Sequence, residues 1–156
     1  MLLPLEKGDG VDPGDALAYR ATVIFLIREP DMDEQYEDGL QVRKQVMGDA
    51  FVEKAFANVD DFTKPLQDYI TRNAWGTVWC REGLDLKTRS LVTLSMLTAL
   101  GRSHELKGHV RGALNNGASV DEIREVLLHA TVYCGVPLAV EAFRAAHEVL
   151  KEAGKV

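Results

Sequence analysis

One short segment carries a glutamate and a histidine at a spacing that suits proton transfer. Glu105 and His109 lie within GRSHELKGHVRGALNNGAS, residues 101–119, and a helix of 3.6 residues per turn puts both side chains on one flank. A carboxylate beside an imidazole raises its basicity, as a general acid or base near neutral pH requires. The same spacing is also typical of a solvated surface pair worth only ~0.2–0.5 kcal/mol. The two residues alone leave both interpretations open.

The same helix carries further polar groups on the face opposite its apolar stripe. With that stripe toward the core, His104, Gly108 and Arg111 fall on the far face, which must meet water or another subunit. Glycine inside a helix costs up to ~1 kcal/mol relative to alanine. Gly108 and Gly112 therefore indicate a close approach by another helix or by a ligand.

Two other segments offer groups that could bind a small molecule. WGTVW places Trp75 and Trp79 on one helical face, where they are either core or subunit contacts or the wall of a pocket for a flat ligand. Arg89 leads a strongly apolar helix, so its guanidinium needs an anionic partner from the protein or from a substrate. A metal site needs three or four convergent ligands, and no spacing here indicates them, so no metal is predicted.

Composition restricts the class of protein. The chain has 156 residues, 46% of them hydrophobic, which fits one domain with a substantial core. A formal net charge of -6 argues against non-specific binding to nucleic acid or to acidic membranes. No apolar run approaches the ~20 residues of a membrane span, and no secretory signal is recognisable, so a cytoplasmic protein is predicted. Cys80 and Cys134 lie far apart and are interpreted as two reduced thiols.

The pattern changes after residue 31. Residues 1–31 contain three of the five prolines and a β-prone run at 19–27, a candidate strand, and are predicted to be an N-terminal extension or arm. Residues 32–156 have helical spacing and are predicted to form the helical domain.

The helical part predicts an all-α fold, an antiparallel bundle of six or seven helices joined by short turns. Asp49 is the predicted N-cap of the second helix, and Ser119 with Glu122 forms a capping box. The helix from Leu86 to Leu100 is apolar on nearly every side and is predicted to be buried. The expected helices cover residues 34–47, 49–58, 61–81 with a break near Gly76, 86–100, 104–115, 120–133 and 137–153.

Several motifs carry a resemblance to a known family. The elements RSL, ALG, HEL, HVRGALNNG and YCGVP follow one another between residues 89 and 137, with GDA at 48–50 and WGTVW upstream. Residues 32–153 resemble the 4-carboxymuconolactone decarboxylases, within the alkylhydroperoxidase-D-like superfamily. The peroxide-reducing members have the motif E-x11-C-x2-C-x3-H. Aligned on His109, this chain has Ser90, Arg102 and Glu105 where that motif has its glutamate and cysteines, so the redox motif is absent.

The resemblance implies a reaction and an assembly. The expected reaction is the cofactor-free decarboxylation of 4-carboxymuconolactone to 3-oxoadipate enol-lactone, in the protocatechuate branch of the β-ketoadipate pathway. The substrate is then a small dianionic lactone. An alkylhydroperoxidase-D-like helical fold and a homo-oligomer, a hexamer or a trimer, are expected with it.

The chemistry of that reaction assigns hypothetical roles to the residues singled out above. Loss of CO2 leaves a carbanion conjugated to the lactone carbonyl, so the protein must hold two carboxylates and supply an acid. A less polar wall destabilises the leaving carboxylate relative to CO2. The assigned residues are His109 as the acid, oriented by Glu105, with His104 as the second choice; Arg89 and Arg111 for the carboxylates; and Trp75 or Trp79 for the wall.

Two alternatives stay open at this stage. One is a thiol-dependent, peroxide-reducing protein of the same superfamily that uses Cys134, alone or with a cysteine of another subunit. The other is a non-enzymatic helical scaffold, which the fold alone does not exclude.

Overall fold

The computed structural model describes residues 32–156, and within that range the chain is helical and has no strand. The predicted arm and the candidate strand at 19–27 lie outside the described residues. The all-α prediction is confirmed. The elements are α1 (Met32–Met47), α2 (Asp49–Ala57), α3 (Lys64–Tyr69), a π-helix π1 (Ile70–Trp79), α4 (Leu86–Ala99), α5 (Ser103–Asn115), α6 (Val120–Cys134) and α7 (Val136–Glu152).

Two clusters of buried side chains organise the helices. The larger cluster joins α4, α5, α6 and α7, and the smaller joins α1, α2 and π1. Because small side chains, mainly alanines, form the buried stripe of α7, that helix packs closely on its neighbours. The fully buried large side chains of the two clusters include Leu94, Leu106, Val110, Ile123, Leu127 and Val149 in the first, and Val46 and Val52 in the second.

Local sequence signals fix several helix ends. At the start of α6 the Ser119 hydroxyl accepts from the Glu122 amide at 3.0 Å, and the Ser119 amide donates to the Glu122 carboxylate at 2.8 Å. The predicted capping box is therefore confirmed. The predicted cap at Asp49 is wrong, since Gly48 occupies the N-cap position of α2 without a side-chain hydrogen bond. Gly135, with φ of 89°, links α6 directly to α7.

The crossing of α1 and π1 requires two glycines. A Cβ on Gly39 would lie 2.2 Å from the carbonyl oxygen of Thr71, and one on Gly76 would lie 2.1 Å from the carbonyl oxygen of Gln35. The two backbones thus touch without side chains between them. The predicted break near Gly76 is wrong, because the helix widens into a π-helix at Ile70 and continues past Gly76.

The predicted burial of the whole α4 helix is also wrong for a single chain. Met96 is 59% exposed, and Leu100, just after the helix, is 71% exposed. Apolar side chains on neighbouring helices are exposed as well, so this surface is unusually apolar. Its members are Val92, Met96, Leu100, Leu128, Val132, Tyr133, Val136 and Val140. Within residues 32–156 no helix combines the length and apolar character needed to cross a membrane.

Candidate active site

A cavity of about 500 Å³ opens where α5 faces α1, α2, α3 and π1. Its wall combines apolar and aromatic side chains with several cationic or titratable ones, which is typical of a site for a small polar ligand. The apolar lining is Met47, Phe51, Ala55, Ile70 and Trp75; the polar lining is Arg43, Gln67, His104, Glu105, Lys107, His109 and Arg111.

Close contact with α1 and α2 holds α5 in place. A Cβ on Gly108 would lie 3.3 Å from Cε of Met47, and one on Gly112 would lie 3.3 Å from the carbonyl oxygen of Val46. The predicted close approach is confirmed, and its partners are these two helices. Gly108 is buried under α1 and α2, whereas His104 and Arg111 on the same face are exposed, so the prediction that this face meets water or another subunit is wrong for Gly108 alone.

Two asparagines at the end of α5 fix its register. The side-chain amide of Asn115 donates to the Val46 carbonyl at 3.0 Å, which ties α5 to α1. The side-chain amide of Asn116 donates to the Ser90 hydroxyl at 2.9 Å, which ties it to α4. These two asparagines thus position the helix that carries the cavity.

His109 lies at the wall of the cavity against the two tryptophans. Its ring stacks on Trp79 with 6.3 Å between centroids, and Trp79 stacks on Trp75 at 4.8 Å. Its Nδ1 is buried and has no hydrogen-bond partner among the described residues. Burial lowers the pKa of His109, and the nearby Glu105 carboxylate raises that pKa by a smaller effect. The neutral imidazole is therefore favoured in the free protein.

Glu105 and His109 line the same cavity, as the helical spacing predicts. No hydrogen bond joins them in the described structure, so stacking on Trp79, rather than a bond from Glu105, holds the ring. The expectation that the glutamate makes this histidine more basic than usual is corrected, since burial has the larger effect on its pKa.

The cations at the mouth of the cavity already have carboxylate partners. Arg111 pairs with Glu152, and Lys107 pairs with Glu148, both carboxylates coming from α7. All four side chains are partly exposed, so each pair contributes little to stability and leaves little net charge at the mouth. His104 is an exposed residue at the same mouth.

Arg89 is not brought to the cavity. Its Nη2 donates to the Arg81 carbonyl at 2.8 Å, so the side chain caps the turn before α4. The residues that line this cavity do not include Arg89, so the geometry of the single chain gives no support to the prediction that it binds the same ligand as Arg111. Like Arg43, it has a buried Nε without a hydrogen-bond partner among the described residues, but it lies outside this cavity.

Sequence reasoning missed Arg43, a buried cation at the cavity. The side chain is 7% exposed, and Nη1 donates to Oε1 of Gln67 at 3.0 Å and to Oγ1 of Thr71 at 3.2 Å. The guanidinium carbon lies 5.4 Å from the ring centroid of Phe56. The signal was present: Arg43 follows Gly39 by four residues and precedes Val46 by three, which puts a cation on the buried stripe of α1.

The arrangement can bind a small anion and move a proton. It combines a desolvated guanidinium, a neutral imidazole and aromatic walls in one cavity. In the part of the chain that the structure describes, no three His, Cys, Asp or Glu side chains form a group that could hold a metal ion.

Known proteins resemble the chain over most of its length. Residues 64–148 match the carboxymuconolactone decarboxylase family. The 4-carboxymuconolactone decarboxylase of Acinetobacter baylyi is 44% identical over 122 residues, which cover 78% of this chain and 91% of the relative. The nitrosuccinic acid decarboxylase of Metarhizium robertsii is 51% identical over 107 residues, which cover 69% of this chain and 75% of the relative.

Proposed function

The chain belongs to the carboxymuconolactone decarboxylase family, and we propose that it removes CO2 from 4-carboxymuconolactone to give 3-oxoadipate enol-lactone. This reaction belongs to the protocatechuate branch of the β-ketoadipate pathway. The observation that carries the proposal is the cavity on α5, where an imidazole and a guanidinium without a carboxylate partner among residues 32–156 share one aromatic-lined space. Such a space fits a small dianion that must be held and then protonated.

The substrate supplies its own electron sink. When the bond between the ring carbon and the departing carboxylate breaks, the electron pair is delocalised through the ring to the lactone carbonyl oxygen. CO2 leaves, and the resulting enolate takes up one proton at a ring carbon. The chain's residues therefore have to position the dianion, exclude water from the leaving carboxylate and deliver the proton.

His109 is the proposed proton donor. Burial lowers its pKa and so favours the neutral imidazole in the free protein, but a bound dianion favours the protonated ring, because an opposite charge within ~4–6 Å raises a histidine pKa. Substrate binding and proton uptake are then coupled. Glu105 adds a second negative charge that favours the imidazolium, and His104, at the mouth, is the second choice for the acid.

Trp75 and Trp79 provide the proposed wall for the leaving carboxylate. Trp75 lines the cavity and Trp79 stacks between it and His109. An apolar surface stabilises neutral CO2 better than a carboxylate, so the wall favours bond breaking. Arg111 attracts the substrate to the mouth, and its pairing with Glu152 makes it a secondary contact.

The test is an absorbance assay of purified protein with 4-carboxymuconolactone, comparing His109→Gln with His129→Gln. His129 is an exposed histidine of α6 whose ring contacts Tyr133. Loss of a positioned acid is expected to lower kcat by ~10²–10⁴-fold in His109→Gln. The His129→Gln control keeps wild-type activity. Wild-type turnover by His109→Gln would refute the assignment, and folded wild-type protein without turnover would refute the function.

The sequence similarity to the nitrosuccinic acid decarboxylase favours nitrosuccinate as a second candidate substrate. In 2-nitrosuccinate, as in 4-carboxymuconolactone, the carbon that loses CO2 is attached to an electron-withdrawing group and to a carboxymethyl arm, -CH2-COO⁻. Both reactions send the electron pair to oxygen, to a lactone enolate or to a nitronate. The ratio of the kcat/KM values for the two compounds measures which of them is the preferred substrate.

The exposed apolar surface of α4, α6 and α7 supports a homo-oligomer, and we propose a hexamer or a trimer. A cytoplasmic location is proposed because the chain retains two free thiols, Cys80 and Cys134. The peroxide-reducing alternative, which would use Cys134, is less favoured, because the E-x11-C-x2-C-x3-H motif is absent and the relatives reported above are named as decarboxylases.

A further inference from the structure

We propose that Arg43 binds the carboxymethyl carboxylate that the substrate keeps, while the carboxylate that leaves as CO2 lies against the tryptophan wall. This assignment rests on the proposed function and makes Arg43 the residue that selects the substrate class. Its ligand is a compound with a -CH2-COO⁻ arm on the carbon that loses CO2.

Arg43 has the hydrogen-bonding groups of an anion site still available. Nη1 uses its two N–H groups on the neutral side chains of Gln67 and Thr71. Nε is buried and has no partner among the described residues. The edge formed by Nε and Nη2 is the one that a carboxylate contacts with two parallel hydrogen bonds.

Among the described residues, no carboxylate compensates the charge of Arg43 either. The ion pairs of the described residues do not include it, although the cations Lys107 and Arg111 of the same cavity are paired. A buried guanidinium that meets only neutral groups is costly unless an anion joins it. The cavity that Arg43 lines is the place from which a ligand carboxylate can reach it.

The reaction decides which carboxylate Arg43 binds. A cation on the leaving carboxylate would stabilise a charge that disappears as CO2 forms, and would therefore raise the barrier. A cation on the retained carboxylate holds the substrate equally before and during bond breaking, and so costs nothing in the chemical step. Trp75, which belongs to the apolar lining of the cavity, suits the leaving group instead.

Two stable furan acids separate the two positions. Furan-2-acetate carries only the retained arm, and 2-furoate carries its carboxylate directly on the ring carbon. Binding is measured by tryptophan fluorescence, because the chain has two tryptophans, Trp75 and Trp79, and both adjoin the site. The variants are Arg43→Met, Arg43→Lys and the control Arg124→Met, which removes one exposed cation on α6.

Arg43→Met is expected to weaken furan-2-acetate binding on the order of 10- to 100-fold, the loss of a charge-assisted hydrogen bond. It should change 2-furoate binding far less, and Arg124→Met should change neither. Arg43→Lys should weaken furan-2-acetate too, because an ammonium lacks the planar fork. Circular dichroism checks folding, and if the methionine variant does not fold, the lysine variant decides.

The assignment would be overturned if the Arg43 substitution weakened the binding of both acids equally. It would also be overturned if a folded Arg43 variant bound furan-2-acetate as tightly as the wild-type protein. Absence of furan-2-acetate binding by wild-type protein would overturn it too. The measurement needs no turnover. A protein that binds furan-2-acetate through Arg43 but decarboxylates neither proposed substrate would thus refute the proposed function and leave Arg43 only as a binding residue for a carboxymethyl group.

Discussion

Replacing Gly39 by alanine tests whether the contact between α1 and π1 builds the site. The new methyl carbon would lie 2.2 Å from the Thr71 carbonyl oxygen and 2.6 Å from the Gly76 nitrogen, whereas ordinary contact begins at 3.4 Å. Both neighbours are backbone atoms, so no side chain can rotate away. The two helices must separate by roughly 1 Å for the methyl group to fit.

The expected loss of stability follows from two opposed effects. Overpacking costs ~1–3 kcal/mol, and backbone neighbours place this case at the upper end. Alanine in place of glycine inside a helix returns ~1 kcal/mol. The net expectation is a free energy of unfolding lowered by ~2 kcal/mol, which corresponds to a fall in Tm of ~4–8 °C for a domain of this size.

Thermal unfolding followed by circular dichroism, at one fixed protein concentration, measures the effect. Gly83→Ala is the matched control, since no atom lies within 4 Å of the added carbon and the residue does not have a positive φ. Its Tm should stay near the wild-type value or rise slightly. Arg43 lies one turn after Gly39 and bonds Thr71, so Gly39→Ala should also weaken furan-2-acetate binding. Equal Tm values for the two variants would refute the crossing geometry.

Three further outcomes are expected. Glu105→Gln removes the charge that raises the pKa of His109, so the decline of kcat/KM with rising pH should begin at lower pH than in wild type; coincident pH profiles would contradict this. Burial holds the pKa of His109 in the folded state below 6.5, so the unfolded chain binds more protons than the folded one as the pH drops below about 6.5. The stability of the wild-type protein should therefore fall in this range relative to that of His109→Gln. Parallel curves of Tm against pH for the two proteins would contradict this prediction. Val132→Glu adds a charge to the exposed apolar surface and should dissociate the oligomer in light scattering, unlike Arg124→Met.

Local signals in the sequence predict the helices well. The capping box of Ser119 and Glu122 depends on interactions within a few residues, and it appears as expected. The π-helix was not predictable in this way. It arises where Gly76 must approach the backbone of α1, a contact with a helix some forty residues earlier in the chain.

The exposed side of α4 is a second feature that the sequence alone could not predict. An all-round apolar helix indicates burial, but the pattern does not say whether the cover comes from the same chain. Leu94 is covered by α5, α6 and α7, whereas Met96, two residues later, is exposed. The exposed side chain of Met96 is not covered by residues 32–156, and a second subunit of the proposed homo-oligomer would supply that cover.

The site itself was predicted in part, and the error lies in its cations. The sequence indicated Arg89 because it leads an apolar helix and Arg111 because it lies on the far face of α5, but Arg89 bonds a backbone carbonyl and Arg111 pairs with Glu152. Whether a cation has a carboxylate partner depends on residues that come close only in the folded chain, and the spacing of residues along one helix does not reveal them. The chain has a net charge of -6, and two ion pairs nearly neutralise the cations at the mouth of the cavity. Among the cavity's described cations, the one whose charge has no carboxylate partner is the buried Arg43. There the low dielectric strengthens its attraction for a carboxylate and salt screens it little, so an acidic protein can still hold a dianion.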